Sequence, residues 1–274
     1  MDRARGGERL IVRIVDAHVH LWDVRAFPIP WFHDGLGLPE AATPGMLRAA
    51  SRSCGITSAI AVQVADTVEE AGWLTALTAS DALATRAVLQ YEPAGRTALG
   101  ATVFDGAPFS GIRAAVAQSA ADLSDVPGLD ALASALGEAG RVLELLIRPA
   151  QLTGAAALAR RHPDTPMVLC HLGLGAAEPS RDWSEALNAF AHAPNAHAKF
   201  SGLLSPSRTD AELADLARTA MALFGAERLM FGSDWPMSAR THAYADVVHA
   251  VRRALPDPHD RSFWSDTADR LYRS

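Results

Sequence analysis

Residues 16–20 read Asp-Ala-His-Val-His, at the end of an apolar run that begins near Leu10. Strand side chains alternate, so His18 and His20 share one face while Ala17 and Val19 take the other. Two imidazoles converging at a strand end can hold a divalent cation or polarise a carbonyl. Alone, such a pair also fits two solvated surface histidines. Two further apolar runs change the weighing: Met167-Val-Leu-Cys-His171-Leu-Gly173 ends in histidine and a glycine turn, and Arg228-Leu-Met-Phe-Gly-Ser-Asp234-Trp-Pro236 ends in aspartate. A carboxylate at the end of a buried strand is costly to desolvate unless it has a partner or a task. Singly, Asp234 reads as a helix cap and His171 as a hydrogen-bonded core histidine. Together, His18, His20, His171 and Asp234 read as one site, able to act as catalytic groups and as metal ligands.

The elements that must position them are short apolar runs alternating with longer helical stretches. Eight strands are expected: Leu10–His20, Ser58–Ala65, Arg86–Tyr91, Ser110–Ala115, Val142–Arg148, Met167–His171, Ala196–Ser201 and Arg228–Ser233. Helix starts are marked by Thr43-Pro44 and by capping-box spacings at Asp66/Glu69 and Thr209/Glu212, and stops by Gly55 and Gly225. Such alternation implies a parallel α/β sheet, and eight repeats imply closure into a single (β/α)8 TIM barrel over residues 1–274. The 274-residue length agrees with the roughly 250 residues of such barrels. Helix boundaries blur over residues 92–130, rich in Gly, Pro and Ala. The connection Leu21–Ala42 is long enough to be a functional loop over the mouth. On this reading Ala17 and Val19 face the outer helix layer, and both histidines face inward.

Apolar residues at 49% and charged residues at 20% describe a folded globular chain. The formal charge of −6 disfavours nucleic acid and anionic membrane faces as partners. Cys54 and Cys170 are the two cysteines, too few for a disulfide framework and in keeping with a reducing compartment. Met1–Arg9 is charged and lacks a signal-like apolar stretch, and no run reaches the ~18 apolar residues of a membrane span. A cytoplasmic protein acting on a small molecule is expected, with homo-oligomer formation left open.

Several segments resemble the amidohydrolase superfamily, in the branch of small-lactone hydrolases related to pyrone-dicarboxylate lactonase and the sugar-lactone hydrolases. They are Asp16-Ala-His-Val-His-Leu-Trp-Asp23, Gly111-Ile-Arg113, Arg161-His-Pro-Asp164, His171-Leu-Gly173, Lys199-Phe-Ser-Gly202, Arg228–Pro236 and the closing Thr267-Ala-Asp-Arg-Leu-Tyr272. The resemblance implies a barrel with His18, His20, His171 and Asp234 around a reacting carbonyl. Asp234 would take the proton from water, and the histidines would stabilise the oxyanion directly or through one divalent metal, Zn²⁺ before others. Arg113 would meet a substrate carboxylate or hydroxyl, or form an ion pair at the rim. Gln63, Lys199 and Trp31 are further substrate-binding candidates, the first two by hydrogen bonds and Trp31 by stacking on a sugar ring. The fifth strand, with Glu144-Leu-Leu-Ile-Arg148, supplies neither histidine nor lysine, which speaks against a binuclear centre. Cys170 is expected to turn away from His171 into the helix layer. Sugar-acid lactone hydrolysis is the function expected. Metal-dependent decarboxylation of an aromatic or enolic acid is the alternative on the same barrel.

Overall fold

The computed structural model describes residues 12–91, 109–174 and 177–273. The expected strand residues Leu10 and Ile11, and residues 92–108 of the blurred stretch, lie outside the described residues. Eight strands form one parallel sheet in sequence order: β1 (Ile14–Val19), β2 (Ile56–Val62), β3 (Ala84–Gln90), β4 (Gly111–Ala115), β5 (Val142–Leu146), β6 (Met167–Leu169), β7 (Ala196–Phe200) and β8 (Leu229–Phe231). Closure occurs at the C-terminal ends. The Asp234 amide donates to the His18 carbonyl at 2.9 Å, and the His20 amide donates to the Trp235 carbonyl at 2.7 Å. The barrel is therefore sealed through the strand ends that hold His18, His20 and Asp234.

Helices α1 (Pro44–Ser51), α2 (Val68–Ser80), α3 (Leu129–Glu138), α4 (Leu152–Arg161), α5 (Trp183–Ala191), α6 (Asp210–Phe224), α7 (Tyr244–Ala254) and α8 (Thr267–Leu271) accompany them, and the long connection after β1 holds a short antiparallel ribbon of Trp22–Asp23 with Ala41–Ala42. No helix is long and apolar enough to cross a membrane among the described residues. Thr43 caps α1, with Pro44 at its first position, and Thr209 with Glu212 forms the capping box of α6. The cap of α2 is Thr67, whose hydroxyl accepts from the Glu70 amide, and not the neighbouring Asp66. A capping box pairs residues three apart, and the two overlapping candidates differ by one position.

Two apolar layers follow from strand alternation. Ile14, Ala59, Ala61, Leu143, Leu145 and Leu169 join the large cluster beneath the helices. Val15, Ile60, Val62, Val88, Val142, Val168 and Met230 fill the barrel interior, joined there by Tyr272 from the C-terminal segment. Ala17 belongs to this inner cluster, contrary to the outward orientation expected for it. The pairing of β1 with β2 is irregular between Asp16 and Val19, which breaks the period of two. The irregularity lets Ala17 and His18 both face inward.

Candidate active site

Asp16 anchors the site from behind. Its Oδ1 accepts the amides of His18 (3.1 Å) and Ser233 (2.9 Å), and its Oδ2 accepts the Tyr244 hydroxyl at 2.8 Å. Burial pushes the carboxyl up to about 6, against the lowering effect of these hydrogen bonds. One side chain thus ties the end of β1 to the end of β8 and to α7.

His18 and His20 lie with their Nε2 atoms 3.3 Å apart, and Asp234 Oδ1 stands 3.6 Å from the first and 3.5 Å from the second. His171 joins them, its ring centroid 4.7 Å from that of His18 and its Nδ1 2.8 Å from Ser201 Oγ. The four residues singled out in the sequence are therefore brought together. Burial drives the His18 imidazole well below its ordinary range, with Lys199, His171, His20 and Arg113 adding to it. Burial also lowers His171, although the nearby Asp234 carboxylate opposes this. Burial would raise the Asp234 carboxyl, but His171, His20 and Arg113 outweigh it and hold it below the usual range. The imidazoles thus face one carboxylate, whose side chain is 16% exposed.

The backbone reaches this arrangement through left-handed residues. His171 (φ 54°), Leu172 (φ 54°) and Asp234 (φ 59°) have positive φ. A branched leucine there is strained, and such strain persists where surrounding contacts over-determine it. The left-handed turn also explains Cys170. Strand β6 ends at Leu169, and Cys170 keeps the inward face of Val168 while the turn swings His171 inward as well. The Cys170 thiol donates to Glu144 Oε2 at 3.3 Å, inside the barrel and not in the helix layer as expected. Burial and the Glu144 charge push this thiol up, leaving no reactive thiolate.

Beneath the histidines sits a buried polar cluster. Lys199 Nζ donates to Glu144 Oε1 at 2.5 Å and lies 3.3 Å from His18 Nδ1, and the Tyr272 hydroxyl donates to the same Glu144 oxygen at 2.5 Å. Lys199 and Glu144 have no exposed side-chain surface. Lys199 thus supports the histidine layer from below and does not reach the mouth as a substrate contact. Gln63 is also not free for substrate in the way expected: its Oε1 accepts the Gln90 amide and its Nε2 donates to the Thr67 carbonyl. Its backbone carbonyl accepts from Arg113 Nη2 at 2.6 Å, while Arg113 Nε donates to Gln90 Oε1 at 3.0 Å. Arg113 is held by neutral oxygens, with no acidic partner among its described contacts, instead of by a rim ion pair. Trp31 is 37% exposed and donates from its indole to the Val64 carbonyl beyond β2, whereas Trp22 is wholly buried. Asp16, Ser201, Glu144 and Tyr272 were not singled out by sequence reasoning. The available signal was a lone carboxylate inside the apolar run Val142–Leu146 and another inside β1.

Glu70 on α2 braces this side of the mouth, accepting the Val64 and Ala65 amides at 2.8 and 2.7 Å. Burial raises its carboxyl to about 7. A folded-state value above the unfolded one means that the folded protein holds the proton more tightly. Its contribution is therefore greatest below about pH 4.5 and declines as pH rises towards 7. The stability advantage of wild type over Glu70→Gln is expected to shrink by about 2–3 kcal/mol between pH 4.5 and 7.5 in urea unfolding.

Small residues let the rings approach. A Cβ on Gly232 would stand 2.7 Å from His18 Cβ, and one on Gly202 would stand 2.6 Å from His171 Nδ1. Gly202 also has φ +61°. Gly202→Ala is expected to cost about 1–2 kcal/mol in thermal or urea unfolding. By displacing His171 it is expected to lower turnover at least ~10-fold.

The donor atoms suit a cation. Tetrahedral Zn²⁺ with bonds of about 2.0–2.1 Å needs ligand atoms roughly 3.3 Å apart. The distances of 3.3, 3.5 and 3.6 Å among His18 Nε2, His20 Nε2 and Asp234 Oδ1 match one face of such a tetrahedron. His171 offers a ligand atom within 4.8 Å of those of His18 and Asp234. A concavity lined by Leu213 and Asp246 of α6 and α7 lies elsewhere, and none of its lining residues belongs to this group.

Comparison with known proteins finds relatives over nearly the whole chain. The profile of the family described as Amidohydrolase matches residues 15–274. The chain is 30% identical to an L-fucono-1,5-lactonase of Burkholderia multivorans, over 94% of this chain and 95% of that protein. Two crystal structures of an amidohydrolase from Burkholderia multivorans superpose with TM-scores of 0.83 and 0.82, at 28% and 27% identity. Each covers 95% of this chain and 99% of the other; one holds HEPES and the other zinc.

Proposed function

Because the chain belongs to the amidohydrolase family over nearly its whole length, we propose that it hydrolyses the ring ester of a sugar-acid lactone. The observation that carries this reading is a partly exposed carboxylate, Asp234, set 3.5–3.6 Å from the imidazole nitrogens of two strand-end histidines. Asp234 removes a proton from water as the water oxygen bonds to the lactone carbonyl carbon. Imidazole N–H groups of the cluster stabilise the resulting oxyanion. When the ring C–O bond breaks, the alkoxide takes the proton from Asp234 and the product leaves as a hydroxy acid. A divalent cation held by His18, His20, His171 and Asp234 would add Lewis-acid polarisation of the carbonyl.

Arg113 and Trp31 are the substrate-orienting groups of this reading. A single guanidinium held by neutral oxygens suits hydroxyls or one carboxylate, and the indole suits a sugar face. The similarity to an L-fucono-1,5-lactonase supports a neutral sugar lactone over a dicarboxylate.

The test is a panel of sugar 1,4- and 1,5-lactones followed by acid release with a pH indicator, before and after chelation. A pyrone dicarboxylate and hydroxybenzoates serve as comparators. Hydroxy-acid formation from at least one sugar lactone is the expected result. Release of CO₂ from an aromatic acid, with every lactone inert, would move the assignment to the decarboxylases.

A further inference from the structure

The histidine pair belongs to a directional chain of hydrogen bonds. His20 Nδ1 lies 2.7 Å from the Val62 carbonyl, which can only accept, so Nδ1 carries the proton. His20 Nε2 faces both His18 Nε2 at 3.3 Å and the Asp234 carboxylate at 3.5 Å. The other ring nitrogen, His18 Nδ1, fixes the direction. It faces Lys199 Nζ at 3.3 Å, and an ammonium paired with Glu144 has donors and no lone pair. His18 Nδ1 therefore accepts from Lys199, and the ring proton sits on Nε2, towards His20 and Asp234.

We infer that Lys199 is a positioning residue that holds His18 in its Nε2–H form, making that nitrogen a donor and weakening it as a metal ligand. A metal-bound imidazole ordinarily directs its other N–H towards a carboxylate or carbonyl, which sets its tautomer and raises its basicity. Here an ammonium stands where that acceptor would be, and the carboxylate that could serve, Glu144, is engaged by Lys199 and Tyr272. Glu144, Cys170 and His18 also have ligand atoms within 4.8 Å of one another, a second grouping that could hold a cation. The Lys199 ammonium is already bonded to Glu144 and hydrogen-bonded to His18, two of those three. It supplies the positive charge of that cluster. The inference concerns the same site as the lactonase reading, but its readouts do not depend on turnover.

The experiment combines ¹⁵N NMR of labelled histidines on the chelated full chain with zinc affinity measured by chelator competition. The His18 signals are identified by their loss in His18→Asn. Wild type is expected to show protonated Nε2 and bare Nδ1 on His18. In Lys199→Met, Glu144 becomes available to accept from Nδ1–H, so the proton is expected to move to Nδ1 and zinc to bind at least ~10-fold more tightly. Lys199→Arg, which keeps a donor, is expected to retain the wild-type tautomer. An Nδ1–H signal for His18 in wild type, or zinc affinity in Lys199→Met within about twofold of wild type, overturns the inference. If Lys199→Met does not fold, the wild-type tautomer alone decides between the two outcomes.

Discussion

Asp234→Asn is expected to lower kcat/KM for lactone opening by ~10³-fold or more while leaving the fold intact. The magnitude lies within the range of ~10²–10⁴ typical of a lost general base. The choice of asparagine matters, because residue 234 has φ +59° and asparagine is among the few side chains that tolerate left-handed backbone. The amide of residue 234 still donates to the His18 carbonyl, so barrel closure survives. What is lost is the ability to accept a proton from water. Alanine would confound this with backbone strain. The check is initial-rate kinetics beside a circular dichroism melt. Turnover within tenfold of wild type, in a folded variant, would remove Asp234 from the role assigned to it.

Breaking the ion pair beneath the histidines is expected to have the largest effect on stability. Glu144→Leu leaves the Lys199 ammonium with no counter-charge at zero exposure, and it deprives the Tyr272 hydroxyl and Cys170 thiol of their acceptor. Removing one partner of a buried pair costs about 3–5 kcal/mol. Lys199→Met is expected to fall in the same range. The double variant Glu144→Leu/Lys199→Met is expected to cost at least ~2 kcal/mol less than the two single losses added, because neither charge is then left unpaired. Urea unfolding of the four proteins measures this cycle. Simple additivity would mean that the two charges do not stabilise one another. The interior is otherwise built of Val15, Ile60, Val62, Val88, Val142, Val168 and Met230, so the pair has little water to fall back on.

The strand count, their parallel order and the gathering of His18, His20, His171 and Asp234 were all legible from residue types and spacing. The reason is local. Alternation of short apolar runs with capped helices permits few closed arrangements, and active groups of a barrel collect at the C-terminal strand ends. Ala17 and Cys170 were misplaced because each inference extended a regular strand alternation past the point where the chain departs from it. The irregularity between Asp16 and Val19 and the left-handed turn at His171–Leu172 both break the period of two. A break in that period redirects every side chain beyond it.

What the amino-acid order determined by itself was thus the architecture and the list of groups that gather at the candidate site, since both depend on pattern within one element at a time. Only the tertiary structure decided what stands behind those groups: Asp16 bonded to Ser233 and Tyr244, Lys199 to Glu144, Arg113 to Gln90. These partners lie 23 to 228 residues apart along the chain. Desolvation, charge pairing and tautomer depend on distances of a few ångströms between such residues, and no periodicity within a single segment encodes them.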